Sequence, residues 1–253
     1  MNHMTKTTTL KIFTLAAALL GYLLRYLLYA TAIDQKGLLM GGHWATCCLT
    51  VLSLVFLAGL ALLARNPEKE LSYEECFTPS APRGMGALIG ATGILIRSFR
   101  NLGMVDRLDK LSIIFGIAAG ICLVMVGVCR IFGSKPNVLC HSILSLFFAI
   151  TMVGQYRHWS ADPQLMNYGF YVAAFVCLML CAYFLANFHV DTRNHRALWV
   201  TAMAAAYFCA VAIPESGDGF FLLACGIWAF TCPPQLNSKP RRQRPAMQMD
   251  EEG

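Results

Sequence analysis

The sequence predicts an all-α, polytopic transmembrane helix bundle in a single domain, of eight spans or, on a second reading, seven. Three observations carry that prediction. Of 253 residues, 57% are apolar and 13% are charged, against about a quarter charged in an ordinary soluble domain. Mean hydropathy is +0.55. Apolar runs of about 20 residues, the length a helix needs to cross a hydrocarbon core of about 30 Å, recur between short polar breaks. So few charges cannot cover the surface of a water-soluble protein. That argues against a soluble enzyme, a disulfide-rich secreted domain, a nucleic-acid-binding module and a disordered chain.

The first expected span is 12–33, interrupted by Arg25. The second, 38–64, holds no Lys, Arg, Asp or Glu. The loop 65–83 follows, where Pro67, Pro79, Pro82 and mixed charges argue against a span. Residues 84–96 are apolar but short, and whether they cross separates eight spans from seven. In 97–110, Phe99, Leu102, Val105 and Leu108 recur at helical spacing opposite Arg100, Arg107 and Lys110, which suits an amphipathic helix lying on the membrane. Residues 111–129 are a clean span, and 133–137 (GSKPN) is a turn by composition. The fifth and sixth spans are 138–156 and 165–188, and 191–196 is a polar link. The seventh, 197–213, is broken by Pro214, and the eighth, 220–232, is short. Residues 1–234 thus form the transmembrane domain, and 235–253 read as a disordered polar tail.

Positive charge orients the bundle. With the N-terminus cytoplasmic, eight spans put 13 Lys and Arg on the inside and 6 outside; seven spans give 10 against 9. Lys and Arg favour the cytoplasmic side, so eight spans with both termini cytoplasmic is the preferred reading, in a plasma membrane. The net charge of +6 then reflects topology rather than nucleic-acid binding. Lys6, Lys11 and Ala30-Thr31-Ala32 have the outline of a signal peptide, but Arg25 and the bulky run 26–29 argue against cleavage. The 11 cysteines form no C-x-x-C and sit mostly in apolar runs, as small packing residues.

Few residues offer chemistry. Every acidic residue is expected outside the spans, which argues against a proton-coupled transporter and a two-carboxylate enzyme. Arg25 is the one charge expected well inside a span, at a cost of a few kcal/mol. Tyr22, Tyr26 and Tyr29 flank it at helical spacing. The four suggest a binding strip for an anion or headgroup; the alternative is an arginine that snorkels or bonds neighbouring carbonyls. Gly86 and Gly90 form G-x-x-x-G, for close helix packing within the chain or for dimerisation. The His spacing matches no metal motif, and no nucleotide or hydrolase motif occurs, so neither metal nor cofactor is expected. Trp159, Tyr168 and Tyr171 suit an interfacial belt, and Ser160 to Gln164 a helix start.

The stretch Trp159-Ser160-x-x-Pro163-Gln164-Leu165-x-x-Tyr168, with Tyr29-Ala30-Thr31-x-x-Asp34-x-Lys36-Gly37-Leu38 and His43, resembles a group of uncharacterised multi-span bacterial membrane proteins. Trp44 after His43 departs from that pattern, where Pro is expected. The resemblance implies a polytopic bacterial inner-membrane protein and carries no activity or site residues. The leading expectation is non-enzymatic binding or transport of a small, anionic ligand near Arg25. A membrane subunit or regulator, meeting a protein partner at the 65–83 loop or the tail, is the first alternative. An enzyme acting on a lipid or lipid-linked substrate is the second. The expected partners are the bilayer and that protein; no nucleic acid is expected.

Overall fold

Inside a bilayer no water bonds the backbone, so each spanning segment must satisfy its own N–H and C=O groups, as a helix does. The computed structural model describes residues 3–32, 43–64, 77, 79–103, 106–159, 168–190, 194–215 and 217–234. Among them lie eight α-helices and no strand: α1 His3–Thr31, α2 Trp44–Leu63, α3 Ala81–Arg100, α4 Arg107–Phe132, α5 Val138–Trp159, α6 Gly169–Asn187, α7 His195–Ala212 and α8 Gly219–Thr231. A 3₁₀ turn, Ile213–Glu215, carries Pro214 between the last two. Local chemistry sets several ends. His43 caps α2 through its Nδ1, which accepts from Ala45 N–H at 3.3 Å. The Asp106 carboxylate accepts from Arg107 N–H at 2.8 Å and starts α4. Gly133, at φ 80, stops α4 in the left-handed conformation that a side chain disfavours.

Two expectations are corrected here. The third segment is no short run of 84–96 but a 20-residue helix that carries Arg83, Arg97 and Arg100 within it. Its start has Pro82, whose missing N–H costs nothing in a first turn. Consequently 97–110 is not an interfacial helix. Residues 97–100 finish α3, 101–103 turn, and Arg107 already belongs to α4. The tail 235–253, residues 65–76, Ser160 to Gln164 and the Trp159 side chain lie outside the described residues.

Among the described residues, five helices are long and apolar enough to cross a membrane: α1, α2, α4, α5 and α6. Their outer faces are apolar, with Leu15, Leu19, Leu54, Val55, Ile114, Ile121 and Val153 all exposed. That is the surface lipid requires. In contrast most of α7 is buried, from Leu198 and Trp199 through Ala205, Tyr207 and Cys209. At 13 residues, α8 reaches about 20 Å, short of a hydrocarbon core of about 30 Å.

Helices α3 to α8 each pack on the next, and α8 returns to α3, closing a ring. Phe148 of α5 stacks on Trp228 of α8, and Phe175 of α6 meets Phe221 of α8, so aromatics fill its centre. Helix α1 packs on α7, and α2 on α1. A narrow stripe docks α2: Phe56 stacks on Phe13 and Tyr207, and Ser53 Oγ shares a 2.8 Å hydrogen bond with Tyr207 Oη. Gly86 and Gly90 face α8 within the chain. A Cβ at Gly90 would stand 2.8 Å from Trp228 Cβ, and one at Gly86 would collide with Thr231. The small stripe lets the two backbones approach.

Candidate functional site

In a mostly apolar interior, buried polar groups stand out, because each costs free energy unless it is answered. Arg25 is buried at 3% exposure, but it is not the one buried charge: Arg83, Arg97 and Arg130 are buried at 7%, 5% and 5%. Of the acids, Asp109 stands in the first turn of α4, before the expected span 111–129, and Asp218 lies just before α8.

Because α8 is short, its start lies within reach of α3. Arg97 donates from Nε to Asp218 Oδ2 at 2.7 Å. Arg100, more than half exposed, pairs with the same carboxylate and donates to the Gly217 carbonyl at 3.3 Å. The Arg97 guanidinium lies 4.8 Å from the Phe221 ring centroid and 6.0 Å from that of Phe175. Rings on two sides and a carboxylate at its edge hold it in place.

Arg97 borders a cavity of about 250 Å³ between α3, α4 and α5, with Asn101, Asp109, Ser112, Thr151 and Gln155 in its walls. Ser112 and Thr151 share a 2.8 Å hydroxyl hydrogen bond. Asp106 and Arg157 form an ion pair of 3.5 Å where α4 begins and α5 ends. The cavity thus presents a cation, a carboxylate, two amides and two hydroxyls. It can bind a small polar molecule through several directions at once. Among the described residues no group of three or more His, Cys, Asp or Glu could hold a metal.

The expected strip on α1 is brought together only in part. Arg25 Nη2 donates to Tyr29 Oη at 3.3 Å, and the guanidinium lies 5.0 Å from the Tyr29 ring centroid. Phe170, at the start of α6, covers it at 5.1 Å. Tyr22 and Tyr26 stack on each other at 6.5 Å, and Tyr26 is mostly exposed. The polar cavity is walled by α3, α4 and α5, not by α1.

Arg83 lies 14 positions before Arg97 on α3, about 21 Å away along the axis. There Arg83, Arg130 and His141 border a void of about 10 Å³, room for one water. His141 is fully buried, and its ring lies 5.5 Å from that of His189. Burial, with Lys135 and Arg130 nearby, lowers His189 to about 4 and keeps it neutral at physiological pH. Arg130 lies against the Phe77 ring at 3.7 Å. His195 packs on the edge of Phe188. Tyr171 is not an interfacial residue: it is buried and stacks on Phe175 at 4.8 Å. All ten described cysteines are free.

Arg97, Asp218 and the cavity residues Asn101, Asp109, Ser112, Thr151 and Gln155 are all missed by sequence reasoning. One signal was present: Arg97 and Arg100 continue the helical register of the small residues from Gly84 to Gly93.

Fold and site together define an all-α, polytopic helical-bundle membrane protein with a polar cavity between the adjoining ends of α3, α4 and α5. No family model, no curated protein and no solved structure matches the chain.

Proposed function

We propose that this protein binds or transports a small polar ligand within the membrane and is not an enzyme. The observation that carries the reading is the cavity at Arg97, lined by an arginine, an aspartate, two amides and two hydroxyls. Arg97 offers positive charge to an anionic group of the ligand, and Asp109 in the same lining offers negative charge to a cationic one. Asp109, Asn101 and Gln155 border the same space and answer its donors. A small anion or zwitterion fits that pattern. Eight crossings in a bacterial plasma membrane, with both termini cytoplasmic, are the topology proposed with it; the positive-charge bias supports them, and the short α8 then crosses where the bilayer thins around it.

The test is a thermal-shift panel on the purified full chain, using small carboxylates, zwitterionic amino acids and neutral polyols. Gln155→Leu replaces a cavity amide with an apolar group, and Arg25→Leu alters the α1 strip. The expected result is stabilisation by carboxylates or zwitterions that Gln155→Leu removes and Arg25→Leu keeps. The converse pattern would move the site to the α1 strip. Equal shifts for every compound in all three proteins would end the ligand reading.

A further inference from the structure

The geometry points to a second site, in which one anionic phospholipid of the surrounding bilayer binds along a trough between α1 and α8. Both helices pack on α7, and the space between them is a cavity of about 180 Å³. Leu15, Leu222, Leu223, Ile227 and Phe230 supply its bulky walls, and small residues lie between them. Ala18 of α1, Ala206 and Ala210 of α7 and Gly226 of α8 line it. Thr14 also faces it, but its hydroxyl is spent on the Leu10 carbonyl at 2.9 Å. The surface offered is therefore apolar, and it accepts an acyl chain rather than a polar ligand. The stretch of α8 involved, Leu222 to Phe230, gives the trough a length of about 12 Å.

The two ends differ. At one, the 3₁₀ turn at Ile213 packs on both α1 and α8 and closes the space. At the other stands Lys11. It shares a helix face with Thr14 and Ala18, at i, i+3 and i+7. Its Nζ lies 5.6 Å from the ring centroid of Phe230, which lines the trough. No carboxylate among the described residues pairs with it, and the nearby charge of Arg83 is also positive. A cation at the mouth of an apolar trough matches a phosphate joined to an acyl chain. Uniform bilayer contact would not need the charge on the trough's own stripe.

The test is lipid retention by the full chain in mild detergent. Phosphatidylglycerol and phosphatidylcholine are supplied in equal amounts, and bound lipid is read by native mass spectrometry. Retained phosphatidylglycerol should exceed phosphatidylcholine by about five-fold, the factor for one basic residue at an anionic surface. Lys11→Gln should abolish the preference. Ala210→Leu should remove retention by filling the trough; Ala18→Leu fills it from α1, so the test survives if one variant does not fold. Gln155→Leu, which changes the separate polar cavity, should keep the lipid. Equal retention of the two lipids, a preference that survives Lys11→Gln, or retention that survives a folded trough-filling variant would overturn the proposal.

Discussion

Removing the Asp218 carboxylate should cost far more stability than removing Arg100, although both touch the same ion pair. Arg97 is 5% exposed and Asp218 15%. Asp218→Ala leaves a guanidinium buried against Phe221 and Phe175 with its bonded carboxylate gone. Losing one partner of a buried pair costs about 3–5 kcal/mol, and the partial exposure of Asp218 places this case near about 3. Arg100 is 55% exposed, so Arg100→Gln removes a screened contact worth about 0–1 kcal/mol. The gap of about 2 kcal/mol corresponds to roughly 30-fold in the unfolding equilibrium. Titration of mixed micelles with a denaturing detergent, followed by tryptophan fluorescence, reads both variants. Trp199 and Trp228 are buried and report loss of the bundle. A loss in Asp218→Ala within about 0.5 kcal/mol of that in Arg100→Gln would refute the reasoning. It would mean that water, not Asp218, solvates Arg97 at the start of α8.

Gly90→Leu should destabilise by about 1–3 kcal/mol through overpacking against Trp228, while Gly103→Ala, with open space around it, should stay within about 0.5; thermal unfolding in detergent separates them. Tyr207→Phe should cost about 1 kcal/mol, the worth of its bond to Ser53, and should loosen α2 as read by hydrogen exchange. The neutral form of His189 is favoured in the fold, so the unfolded chain binds more protons between pH 6.5 and about 4. Stability should therefore fall as pH drops through that window, and His189→Gln should flatten this part of the curve in melting scans taken across it.

How much the sequence disclosed follows from where each signal resides. The order of the apolar helices was legible because apolar runs and breaks are local. Gly133 within GSKPN marked the end of α4, and Pro214 marked the break before α8. The length of α3 was not legible. Arg83 and Arg97 look like loop residues until the partner of Arg97 is known, and Asp218 lies 121 residues further along. Burial of a charge is a tertiary property that composition cannot report. The same holds for Tyr171, whose ring suits an interface but stacks in the core. Phe170, which covers Arg25, comes from another helix and gave no signal beside the α1 tyrosines. Gly86 and Gly90 were legible as a packing face, but only the fold names α8 as their partner.

The most direct measurement is gentle purification from native membranes, followed by mass spectrometry of everything that co-elutes. The expected result is a lone chain carrying a small carboxylate or zwitterion that is lost in Gln155→Leu. A stoichiometric protein partner with no bound small molecule would contradict the ligand reading and make the chain a membrane subunit or regulator.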